Sequence, residues 1–82
     1  MYTTYILFSV KLNKFYTGYS SDLSRRLEEY NRGKTPFMKS GVPWSRVYST
    51  EFKTRKEAMI LEKFIKNRGA GRFLIDNQID VG

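Results

Sequence analysis

Arg26 and Tyr30, four residues apart, carry the strongest chemical signal in the chain. On a helical projection that starts at Leu23 and advances about 100° per residue, Leu27 falls at about 40°, Tyr30 at about 340° and Arg26 at about 300°. Arg26 therefore flanks an apolar stripe beside Tyr30, while Arg25, at about 200°, is expected in solvent. Just upstream runs Phe15-Tyr16-Thr17-Gly18-Tyr19, a strand end rich in phenols. A guanidinium held against such a strand end offers a fork of N–H donors to an anionic ligand. A third chemical group lies far along the chain. With Ala58 at zero, Leu61 at about 300°, Ile65 at about 340° and Phe64 at about 240° define a core-facing stripe, and Glu62 stands on its border at about 40°. Its carboxylate either looks toward the sheet, as a metal ligand must, or pairs outward with Lys66, a contact that contributes about 0.3–0.5 kcal/mol.

The elements that must position these groups follow from periodicity. Residues 3–10 read as a strand with Tyr5 and Leu7 on one face and Ile6, Phe8 and Val10 on the other; two apolar faces suit the centre of a sheet. Lys11-Leu12-Asn13-Lys14 supplies a tight turn in which Asn13 tolerates a left-handed backbone. Residues 15–19 return antiparallel, and Gly18 lets another group approach the backbone closely. Ser21 is the expected N-cap of the first helix, Asp22 suits the positive end of its dipole, and Gly33 ends it. The irregular segment 33–43 carries Lys34 and Lys39 and reads either as a phosphate-touching loop or as a connector whose Phe37 and Met38 cover the core. Residues 44–52 form a third strand, with Trp44, Arg46, Tyr48, Thr50 and Phe52 on one face and Val47 on the other. Thr54 and Glu57 make a capping box at the start of a second long helix. Gly69-Ala70-Gly71 stops it, and residues 69–82 form a C-terminal extension with a short helix or extended piece around Phe73-Leu74-Ile75 and an acidic tail.

Composition narrows the chemistry. The 82 residues, with neither cysteine nor histidine, suit a single small domain with a modest core and no thiol nucleophile, disulfide, zinc finger or histidine base. Any metal would be a hard cation on oxygen ligands. Fifteen Lys and Arg against eight Asp and Glu give +7, and residues 53–72 alone hold seven basic and two acidic residues. A field of that sign favours a polyanion, most commonly a nucleic acid. No apolar run is long enough to span a membrane, and Met1–Tyr5 has no leader pattern, so a cytoplasmic protein is expected.

Taken together, Tyr5-Ile6-Leu7, Tyr16-Thr17-Gly18, Arg26 in Leu23-x-x-Arg26, Tyr30, and Glu62 in Glu57-Ala58-x-x-x-Glu62-Lys63-x-Ile65-Lys66 resemble the GIY-YIG nuclease superfamily, most of all its small stand-alone bacterial members. The resemblance covers roughly residues 3–68. It implies an α+β fold, a three-stranded antiparallel sheet flanked by helices in the order β-β-α-(α)-β-α, which agrees with the order read from periodicity. It also implies hydrolysis of phosphodiester bonds in DNA with one divalent metal, magnesium or manganese. Glu62 would bind the ion and Arg26 would face the scissile phosphate. Tyr5 and Tyr30 would orient the attacking water, with Tyr16 as candidate base. A late asparagine closing the site would be Asn77 or Asn67. The glycine of the first signature tripeptide is missing, Thr3-Thr4 standing before Tyr5, and Tyr30 stands where the family often has histidine.

The residue types suit that chemistry. Phosphate cleavage builds negative charge on oxygen, which a fixed guanidinium and a cation stabilise more in the transition state than in the ground state. A tyrosine, with an ordinary pKa of about 10, serves as a base only if its surroundings lower that value. Two function classes follow: a metal-dependent endonuclease acting on branched, damaged or single-stranded DNA, or a catalytically weak nucleic-acid-binding module using the same cleft with Lys34, Lys39, Lys63, Lys66 and Arg68. A small basic RNA-associated protein is the third, plainer reading. Monomer and homodimer both remain open.

Overall fold

The computed structural model describes residues 1–79. Strands β1 (Tyr2–Ser9), β2 (Lys14–Ser20) and β3 (Trp44–Phe52) form one antiparallel sheet in the order β2-β1-β3. Helices α1 (Leu23–Asn31) and α2 (Pro36–Lys39) separate β2 from β3, and α3 (Arg55–Arg68) and α4 (Ala70–Asp76) follow. The doubly apolar strand is indeed central: Tyr5 and Leu7 pack with Tyr30, Met38 and Trp44 beneath α1 and α2, and Ile6 packs with Ile65, Phe73 and Leu74 beneath α3 and α4. The sheet is thus covered on both faces, with two small cores on either side of β1.

Local chemistry sets the boundaries. Asn13 adopts φ 53°, the left-handed conformation that closes the β1–β2 turn, and Gly33 at φ 74° ends α1 while its N–H and that of Lys34 return to the carbonyls of Tyr30 and Glu29. Asp22, not Ser21, caps α1: its Oδ1 accepts the Arg25 N–H at 3.1 Å, while Ser20 Oγ accepts the Asp22 N–H at 3.0 Å. Ser20, the last residue of β2, thereby holds the backbone of the residue that caps the helix. The capping box at α3 is present, Thr54 Oγ1 accepting the Glu57 N–H at 3.2 Å.

The alternation expected along β3 fails at one point. Ile6 pairs with Tyr48 but Leu7 pairs with Arg46, so Val47 is an extra residue, a β-bulge. Trp44 and Arg46 consequently share the α1 face with Leu7, whereas Tyr48 lies on the α3 face against Phe73. Residues 69–79 contribute to the core, since Phe73 and Leu74 are buried and Ile79 packs beside them. The acidic tail falls partly on residues 80–82, outside the described residues. No helix among the described residues is long and apolar enough to cross a membrane.

Candidate active site

The site assembles at the β2 edge of the sheet, where the two helical layers meet. Tyr5 lies on β1 opposite Gly18, and Tyr16 lies on β2 opposite Leu7, so both rings point to the α1 face. Tyr30, the buried residue of α1, stands edge-on to Tyr16 with ring centroids 5.8 Å apart, and its hydroxyl is 3.4 Å from that of Tyr5. The three phenols form one cluster. Gly18 makes room for it: a Cβ there would sit 2.8 Å from the Tyr5 hydroxyl and 3.3 Å from the Tyr16 ring. Only glycine allows the Tyr5 ring to lie over that strand.

Arg26 is one turn before Tyr30 on α1, as its spacing requires, with an exposed head. Arg25 is exposed as well and turns back toward Asp22 at 4.0 Å. Glu62 is on α3, in the opposite layer, yet reaches the same place, because β2 is an edge strand and α3 packs across it. Its side chain is 21% exposed and combines the two geometries open to it in sequence: Oε2 pairs with Lys66 Nζ at 3.3 Å, and the carboxylate is close enough to act on the Tyr16 phenol.

The electrostatics of the phenols record the convergence. Burial is the main force pushing the Tyr16 pKa up to about 12; the adjoining Tyr30 hydroxyl and the Glu62 carboxylate push the same way, and Arg26 opposes them. Tyr5, more deeply buried, is driven further upward by burial and by Tyr30, again against Arg26. A phenol poised as a base needs the opposite shift. In the protein alone, Tyr16 therefore keeps its proton at neutral pH, and the lowering on which a role as base is conditional does not come from the chain by itself.

The remaining expected residues divide. Asn77 caps α4, its Nδ2 donating to the Phe73 carbonyl at 2.8 Å, so its amide is occupied at its own helix end and makes no hydrogen bond to the phenol cluster. Asn67 is exposed on α3. Lys34 and Lys39 are exposed around Gly33, and Lys39 faces Lys11 and Arg32 across a cleft of about 350 Å³. Lys63 is exposed on α3, but Lys66 is held by Glu62, and Arg68 grips both oxygens of Asp76 at 2.6 and 3.0 Å. Sequence reasoning missed Phe37. Met38 is buried as the connector reading anticipated, but Phe37 is 77% exposed and its ring lies 6.3 Å from Tyr16, beside a cleft of about 200 Å³ shared with Lys14 and Trp44. Its exposure is set by the single turn of α2, which no periodicity over four residues can reveal.

A divalent cation fits the donors present. Glu62 brings a carboxylate that is only partly exposed, and magnesium is commonly held by one or two carboxylates plus water and substrate phosphate. Among the described residues no group of three or more acidic residues is gathered in one place. Any such ion would thus rest on the single carboxylate and the substrate.

Comparisons with known proteins bear on the family and the fold. The GIY-YIG catalytic domain matches residues 1–71. A UPF0213 protein of Streptococcus agalactiae is 37% identical over 54 residues, 65% of this chain and 61% of that protein, so the match spans less than two thirds of that relative's length. A UPF0213 protein of Limosilactobacillus reuteri is 29% identical over 86 residues, 98% of this chain and 88% of that protein. The solution NMR structure of the UPF0213 protein BH0048 of Bacillus halodurans superposes with a TM-score of 0.58 at 28% identity, covering 99% of this chain and 89% of that one. Motifs, sheet order and the match over most of the chain agree, and the chain belongs to the GIY-YIG family.

Proposed function

We propose that this protein is a divalent-metal-dependent endonuclease that hydrolyses phosphodiester bonds in DNA within the cytoplasm. The observation that carries this reading is the double influence on Tyr16: a carboxylate from one helical layer and a guanidinium from the other act on the same phenol. Arg26 binds and orients the scissile phosphate and offsets charge developing on its oxygens. Tyr5 and Tyr30, linked through their hydroxyls, orient the attacking water together with Tyr16. Glu62 would hold the cation, whose chemistry there would be that of a Lewis acid toward the phosphate. Neutralising Glu62 would also remove one of the smaller influences that raise the Tyr16 pKa, while burial and Tyr30 still raise it and Arg26 opposes them, so the Tyr16 proton would be held less tightly when that carboxylate is occupied. Phe37, exposed beside Tyr16, offers a stacking surface to an unpaired base, which suits branched, damaged or single-stranded substrates.

A second reading, a nucleic-acid-binding module with little or no cutting, is favoured by one observation: Lys66 already occupies the Glu62 carboxylate. Incubation of labelled single-stranded and branched DNA with and without magnesium or manganese separates the two. The nuclease reading expects cation-dependent product that is lost in both Arg26→Ala and Glu62→Ala, with salt-dependent binding retained in Glu62→Ala. Binding without cation-dependent product, or product that persists in both variants, is the result that sinks it.

A further inference from the structure

The sheet has a second edge, and it faces away from the active site. β3 is a nine-residue outer strand. At its start the outer backbone groups are satisfied, because the Asn31 side chain donates to the Trp44 carbonyl at 3.1 Å and accepts the Trp44 N–H at 2.7 Å. From Ser45 to Phe52, no outward N–H or C=O of β3 has a backbone or side-chain partner among the described residues. Beside this edge, on the α3 face, Phe52, Ile60, Leu61 and Phe64 line an apolar cleft of about 340 Å³, and Ile60 and Phe64 are 61% and 58% exposed.

We propose that β3 pairs with β3 of a second copy of this chain, so that two sheets join into one of six strands about a two-fold axis through Ser49. The occupant is indicated by charge and register together. An antiparallel pair that preserves faces sets Ser49 opposite Ser49 and Tyr48 opposite Thr50. Beyond that point the bulge at Val47 matters. Without it the next residue facing Glu51 of the partner would be Val47, which lies on the other face. With Val47 looped out, Arg46 takes that place, and Arg46 and Glu51 share the α1 face. Two Arg46–Glu51 pairs therefore form, one on each side of the axis. Both side chains are exposed and neither has an ion-pair partner among the described residues; Arg46 donates to Ser49 Oγ at 3.1 Å. A bulge and charges on an outer strand ordinarily keep other strands away. Here they are complementary to their own image, and the same axis brings Ile60 and Phe64 of both α3 helices to one side of the joined sheet. The active sites, at the β2 edges, stand at the two ends of that sheet and stay open.

The test is the mass of the full chain in solution, and it does not depend on nuclease activity. Sedimentation equilibrium of the unmodified protein is expected to show twice the 9.7 kDa monomer as concentration rises. Arg46→Glu and Glu51→Arg each place like charges opposite one another and are expected to weaken the dimer roughly tenfold, and the double exchange Arg46→Glu/Glu51→Arg is expected to restore it. Amide exchange on the unmodified protein gives a reading that no variant can spoil by misfolding: amides of residues 47–52 should be slower at high than at low concentration. A protein that stays monomeric at about 1 mM, single exchanges that leave dimer mass unchanged, or a double exchange that does not restore it overturns the proposal. So does protection of β3 that arises only when an oligonucleotide is added to the monomer.

Discussion

Three phenols within one cluster make the site sensitive to alkali in a defined way. An unfolded tyrosine titrates at about pH 10. In the folded protein burial pushes Tyr16 up to about 12 and pushes Tyr5 up as well. Between those values the folded chain binds more protons than the unfolded chain, so the stability present below about pH 10 is lost as pH climbs through about 12. Urea unfolding followed at several pH values should show this fall, and Tyr16→Phe should make it shallower; an equal slope in both proteins would mean that the phenol is not buried as described. If occupation of Glu62 is coupled to the Tyr16 proton, phenolate absorbance should rise at lower pH with magnesium present than without, and Glu62→Gln should abolish the difference. Phe37→Ala removes a ring that is mostly in solvent. It should leave stability within about 0.5 kcal/mol and weaken binding of single-stranded DNA by about 1–3 kcal/mol, as read by fluorescence anisotropy.

Between elements, a small number of buried polar contacts hold helices to strands. Thr4, fully buried on β1, donates through Oγ1 to the Ala58 carbonyl at 2.7 Å, one turn before Glu62 on α3. This bond fixes how α3 lies across the sheet, and with it how far the Glu62 carboxylate reaches toward Tyr16. Thr4→Val keeps the shape and removes the donor, so the Ala58 carbonyl keeps only its partner within the helix. A loss of about 0.5–1.5 kcal/mol in chemical denaturation is expected, with a loss of cutting beyond what stability explains. On the other face, Asn31 binds both backbone groups of Trp44 and ties the end of α1 to the start of β3, and the Trp44 Nε1–H donates to the Met38 carbonyl at 2.8 Å. The phenol cluster is thus braced from α1, while its carboxylate is braced separately from α3.

For the whole molecule, the balance of +7 supplies a long-range field whose effect falls with salt. Affinity for DNA should decline linearly on a log–log plot against salt, and removing a positive charge that touches phosphate, such as Lys39→Ala, should lower the slope by about one. Lys66 and Arg68 contribute less to that field than their number implies, since acidic partners already engage them. A salt slope lowered as much by Arg68→Ala as by Lys39→Ala would show that the Asp76 pair opens when DNA binds.

Much of this protein was written into local patterns. The two apolar faces of residues 5–8 required a central strand, the Asn13 turn and the Thr54 capping box fixed element ends, and the spacing of Arg26, Tyr30 and Glu62 marked the side chains of the proposed site. Each of these depends on residues a few positions apart, whose interactions are set by backbone geometry. What the tertiary structure alone decided depends on partners far apart in the chain. The β3 bulge arises from pairing with β1 and moves Tyr48 away from Trp44. The cap is Asp22, whose backbone N–H is held by the Ser20 hydroxyl at the end of β2. Phe37 was left in solvent by a single helical turn, and the Tyr16 pKa rose because burial, a property of the packed whole, outweighs the one guanidinium beside it.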